Sequence, residues 1–235
     1  MLLRWSRAVF CLGLVFITQN SKAAECDPAI SLADDERQHL VDRLVKSPTG
    51  KKLLDDFEVI YGSLQNLTIQ WDRVSFSQVV AKPTRVPAAI DLKKLGEEVC
   101  IHLALKLPEM EHIADFAHEL VHVTRLPKEV YQGNFKKTED FIKARIALKG
   151  GEAEAFAVEC TVKYELLGEW DGLCAPYVLD SKHDLEHSMD LKHIVKDLYN
   201  GSLAASLTGE PYPIMLERQF KALLLRRTIS YKNGS

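Results

Sequence analysis

Residues 98–125 read EVCIHLALKLPEMEHIADFAHELVHVTR. From Glu98 to Leu105 apolar residues alternate with others, which is the period of a strand with one buried face. Pro108 closes that run. From Glu109 to Arg125 the spacing changes: Ile113, Phe116, Ala117, Leu120 and Val121 fall on one face of an amphipathic helix. Upstream, Leu32, Leu40, Val41 and Leu44 recur at roughly helical spacing, and Ser47-Pro48-Thr49-Gly50 is expected to stop that run. Lys51 to Tyr61 reads as a second short helix, and Leu67 to Trp71 and Val74 to Val80 read as strands. Downstream, Thr138 to Leu148, Gly151 to Leu167 and Pro213 to Arg226 are helical candidates. A helical start, a few strands and a helical second half make an α+β chain.

The 235 residues suit a single domain, with 46% apolar and 27% charged residues. That composition excludes a disordered tail, a collagen-like repeat and a polytopic membrane protein. The formal charge is -3; residues 1–23 carry Arg4, Arg7 and Lys22 and no acid, so removing them takes -3 to -6. A mildly acidic body of this kind offers no footprint for nucleic acid or for an anionic membrane.

Residues 1–23 read as a secretory signal peptide. Arg4 and Arg7 precede an apolar run from Ala8 to Ile17, and Ser21 and Ala23 are the small residues before the expected cut. The run is too short to span about 30 Å of hydrocarbon. Glu25 before Cys26 speaks against a lipid anchor. Residues 24–235 are then one secreted or periplasmic domain with no membrane span, in which 24–97 form an N-terminal subdomain, a pro-region or half of the fold. Cys26, Cys100, Cys160 and Cys174 remain in it, an even number suited to an oxidising compartment. Cys160 in a helical stretch and Cys174 just beyond its end suggest one bridge; Cys26 to Cys100 would then tie down the new amino terminus. Four buried thiols are the alternative, and no CxxC spacing points to a thiolate zinc site.

Residues 118–122 are His118-Glu119-Leu120-Val121-His122. Side chains four apart share a helical face, so both imidazoles can meet one ion. Glu119, one step round, reaches a water beside that ion. Composition alone, with 8 His among 235 residues, gives such a match odds of about two in a hundred. A hydrolytic site wants a third protein ligand, and Gly150-Gly151-Glu152-Ala153-Glu154-Ala155-Phe156-Ala157-Val158-Glu159 lies downstream.

Together these stretches resemble the zincin metallopeptidases, in particular the gluzincin branch, whose HExxH helix is joined by a glutamate from a second helix. Glu152-Ala153, followed by Phe156-Ala157, is similar to the glutamate helix of the ImmA/IrrE-type peptidases. The resemblance covers about Val99 to Leu167. It implies a zincin-like fold: a small, mostly antiparallel sheet with an active-site helix, followed by a largely helical C-terminal half. It also implies one Zn2+ held by His118, His122 and Glu152, with Glu119 as general base in the hydrolysis of a peptide or protein substrate. On periodicity, Glu152 and Glu154 flank the apolar stripe Ala153, Phe156, Ala157, Cys160, Tyr164 and Leu167 on opposite sides, so spacing does not choose between them; the family pattern favours Glu152. A substrate backbone binds an edge strand in such folds, and Val99 to Leu105 is expected to line the cleft.

His183-Asp184-Leu185-Glu186-His187 is a rival, inverted motif, but its polar flanks lack the apolar face that a buried metal helix needs. Tyr177, His183, His187 and His193 are candidates for stabilising an oxyanion, and Asp115, one turn before His118, for orienting an imidazole. His102 reads as a strand side chain. The expected function is a secreted zinc metallopeptidase. The alternatives are a non-catalytic, zinc-stabilised binding or structural protein on the same scaffold, and a metal-free helical effector. The oligomeric state stays open.

Overall fold

The computed structural model describes residues 26–81, 97–131, 133–179, 188–203 and 209–233. The expected signal peptide, 1–23, and the inverted motif at 183–187 lie outside these residues. The chain is α+β, as the sequence indicates. Helices α1 (Asp34–Leu44) and α2 (Pro48–Tyr61) precede strands β1 (Leu67–Asp72), β2 (Phe76–Ala81) and β3 (Glu97–Ala104). Then follow α3 (Glu109–Arg125), α4 (Lys128–Tyr131), α5 (Thr138–Ala147), α6 (Glu152–Leu167), α7 (Leu191–Asn200) and α8 (Tyr212–Asn233). Among the described residues no helix is long and apolar enough to cross a membrane.

The three strands run in the order β1-β3-β2. β3 pairs with β1 in parallel, Ile101 opposite Ile69, and with β2 antiparallel, Ile101 opposite Ser77. The sheet is therefore mixed rather than mostly antiparallel. The expected cleft strand is also displaced: β3 is central, with both its edges paired. β1 is closed on its outer side by the amino-terminal stretch, where Leu32 N–H donates to the Ile69 carbonyl at 2.8 Å and Gln70 Nε2 donates to the Asp27 carbonyl at 2.6 Å. A disulfide from Cys26 to Cys100 fastens that stretch, and a second joins Cys160 to Cys174. Among the described residues β2 keeps the open edge.

Val99, Ile101 and Leu103 alternate onto one face of the sheet and are fully buried against Phe57 of α2 and Phe116, Leu120 and Val121 of α3. A second core gathers Phe141, Ile146, Ile194, Leu198, Leu216 and Phe220 from the later helices. α6 belongs to both. Ala155, Val158 and Val162 face the first core, while Ala153, Phe156, Ala157 and Cys160 face the second. α1 ends at Leu44, before the stretch 47–50 expected to stop it, and that stretch also starts α2, three residues ahead of the expected Lys51. The Ser47 hydroxyl accepts from Gly50 N–H at 2.9 Å, Pro48 takes the first turn, and Glu165 of α6 accepts from Thr49 N–H at 3.0 Å.

Candidate metal centre

α3 spans the residues that its periodicity marks out, and one face carries both imidazoles. Their ring centroids are 4.9 Å apart and nearly perpendicular. His122 is buried, and its Nδ1–H donates to the Gly150 carbonyl at 2.7 Å, with Nε2 turned toward Glu152. Gly150 can come that close because it is glycine. Its φ is +75°, and a Cβ there would strike the backbone of Arg125 and Leu126 at the end of α3. Gly150→Ala should therefore cost about 3 kcal/mol, combining a left-handed backbone penalty with overpacking. Chemical denaturation checks it: the denaturant midpoint should fall with an unchanged slope.

The turn at Gly150 and Gly151 aims the first residue of α6 at α3. Glu152 Oε2 lies 3.4 Å from His118 Nε2 and 3.5 Å from His122 Nε2, and its Oε1 accepts from Arg145 at 2.7 Å. Two atoms bound at 2.0–2.1 Å to a tetrahedral zinc lie roughly 3.3–3.4 Å apart. The separations of carboxylate and imidazoles are compatible with ligands sharing one small ion, and a donor set of two imidazole nitrogens and one carboxylate oxygen suits zinc. Glu119 is buried, and a carboxylate oxygen of it lies within 4.8 Å of a nitrogen of each histidine.

Burial pushes the Glu152 carboxyl up, but the opposing fields of His122 and Arg145 and its bonds to both histidines outweigh this and hold it well below the usual carboxylate range. Burial lowers His118, yet its hydrogen bonds to Glu152 and Glu159 carry it well above the ordinary imidazole value. Glu154, the other candidate ligand, is used elsewhere: it accepts from Arg125 and from Gly150 N–H, each at 2.6 Å, and so fastens the turn.

The imidazole-orienting role expected of Asp115 falls to Glu159, whose Oε2 is 3.3 Å from His118 Nδ1. Asp115 accepts instead from the Ser75 hydroxyl at 2.6 Å, and burial together with Glu159 pushes its carboxyl up to about 6. His102 stacks on Phe76 and meets Asp72 at 3.2 Å in the sheet. Tyr177 donates to Asp197 at 3.0 Å, and His193 sits 3.4 Å from the same carboxylate.

No protein-family model, curated protein or solved structure matches this chain.

The site's own geometry therefore carries the functional reading. It also holds residues that the sequence did not reveal: Arg145, Glu159 and Tyr212. Burial, then the charges of Glu152, Glu159, Glu119 and Asp115, raise the Tyr212 phenol well above its usual value and keep it protonated. Nothing at the sequence level distinguishes Tyr212 from any tyrosine opening a helix.

Proposed function

We propose that the chain is a zinc-dependent metallopeptidase of gluzincin type, working outside the reducing cytosol. The observation that carries this is the convergence of His118, His122 and Glu152 at ligand-to-ligand spacing, with the buried Glu119 alongside. The two disulfides support an extracytoplasmic setting.

Zinc held by His118, His122 and Glu152 would supply a Lewis acid and lower the pKa of a water. Glu119 would accept a proton from a water attacking the peptide carbonyl and pass it to the leaving amine as the C–N bond breaks. Glu159 and the Gly150 carbonyl hold the Nδ1–H of each histidine, which fixes the tautomer that turns Nε2 toward Glu152. Tyr212, whose phenol feels the charges of Glu152, Glu159, Glu119 and Asp115 and stays protonated, is a candidate donor to charge developing on the carbonyl oxygen. The substrate backbone would add along the open edge of β2, whose neighbouring Ser75 is bonded to Asp115 on α3.

The burial of Glu119 and His122 favours a second reading, a zinc-stabilised binding or structural protein. Metal analysis and a peptide library separate the cases. Protein purified without added metal should carry about one zinc per chain and cleave members of the library. Zinc without cleavage of any peptide would favour the structural role. No zinc, even after it is added back, would end both.

A further inference from the structure

Lys163 is a lysine that the proposed chemistry does not use. Its side chain is only 4% exposed. The ammonium lies 2.8 Å from Glu111 Oε2 on α3, 3.1 Å from Glu159 Oε1 on α6 and 3.3 Å from Asp171 Oδ2 in the loop after α6. Asp171 is itself fixed, its Oδ1 accepting from the N–H groups of Leu173 and Cys174 at 2.8 Å each, next to the Cys160–Cys174 bridge. Glu152, Glu159 and Lys163 fall on one stripe of α6, the latter two each within about 20° of Glu152 around the axis. That stripe carries an unbroken polar line. Lys163 meets one oxygen of Glu159, the other oxygen meets His118 Nδ1, and His118 Nε2 faces Glu152.

A buried ammonium is an expensive way to join two helices, because packed apolar side chains of the same volume serve as well or better. What an apolar residue cannot do is hold a carboxylate in one orientation. Glu159 is itself largely covered, its side chain 13% exposed, and would otherwise be free to turn toward other donors. We propose that Lys163 is a positioning residue for the metal centre: it locks the Glu159 carboxylate, which in turn sets the direction of the His118 imidazole. The inference rests on the zinc reading above and adds a layer behind it.

The test is zinc affinity by chelator competition, together with the visible spectrum of the cobalt(II)-substituted protein. Lys163→Met should weaken zinc about 10- to 100-fold, the usual loss when support behind a metal-bound histidine is removed. Its cobalt spectrum should shift, and Lys163→Arg should restore both. Lys163→Gln carries the same expectation and serves where the methionine variant does not fold. Because Lys163 acts through Glu159, the double variant Lys163→Met/Glu159→Gln should bind zinc no more weakly than Glu159→Gln alone, within about threefold. A lysine that merely staples helices would lower the melting temperature while leaving affinity and spectrum unchanged, which would overturn the proposal. So would losses that multiply in the double variant. If the unaltered protein takes no zinc, the metallopeptidase reading falls and takes this one with it; if it takes zinc and the Lys163 variants bind equally well, only this one falls.

Discussion

Glu119→Gln should keep its zinc and lose its turnover. The amide fills the volume of the carboxylate, so the helix and the flanking imidazoles have no reason to move, and the metal content should stay at about one per chain. The amide, however, cannot accept a proton from water. General-base assistance is worth about 10²- to 10⁴-fold, and kcat on any peptide found by the library should fall by that order. The control is the melting temperature, which should match that of the unaltered protein to within a degree or two because the change is isosteric. Full activity in this variant would remove Glu119 from the mechanism.

His122→Ala should have the largest effect on stability, and by two routes. His122 is buried, so its loss leaves a cavity and strips the Gly150 carbonyl of its donor. It also leaves His118 and Glu152 with too few donors to hold zinc. A bound metal stabilises by mass action, about 4 kcal/mol when its concentration is a thousand times its Kd. For a domain of this size that corresponds to about 10 °C in melting temperature. Calorimetry with and without chelator separates the routes. The unaltered protein should melt lower in chelator by about that amount, whereas His122→Ala should already melt low and show no response. A variant whose melting still responds to chelator would mean that the ion sits elsewhere.

Much of this was legible before folding, and the part that was not has identifiable reasons. α3 has one apolar face and a proline before it, so periodicity placed it and both its imidazoles. α6 defeats the same reasoning because it is buried almost all round: one stripe faces each core, and even Lys163 is covered. A helix without a wet side gives no periodic signal to separate Glu152 from Glu154. The choice is made by Arg125 and Gly150, which claim Glu154 and come from outside the helix. The central place of β3 was hidden because its parallel pairing with β1 is a crossover, which strand patterns do not record. α7 is legible by the same rules: Asp190 caps it by accepting from His193 N–H, and Ile194 and Leu198 recur at helical spacing. Glu159 and Lys163 carried none; a charged residue in an apolar helix reads the same whether it is solvated or locked in place.

The double allegiance of α6 has a further consequence for cooperativity. A protein with two cores can open one while the other persists, and segments at the boundary then exchange their amides by whichever opening is easier. Here the boundary is the helix that carries Glu152 and Glu159, so neither half can melt without dismantling the candidate metal centre. An ion seated there would raise the free energy of both openings together, making two locally independent units lose their structure as one.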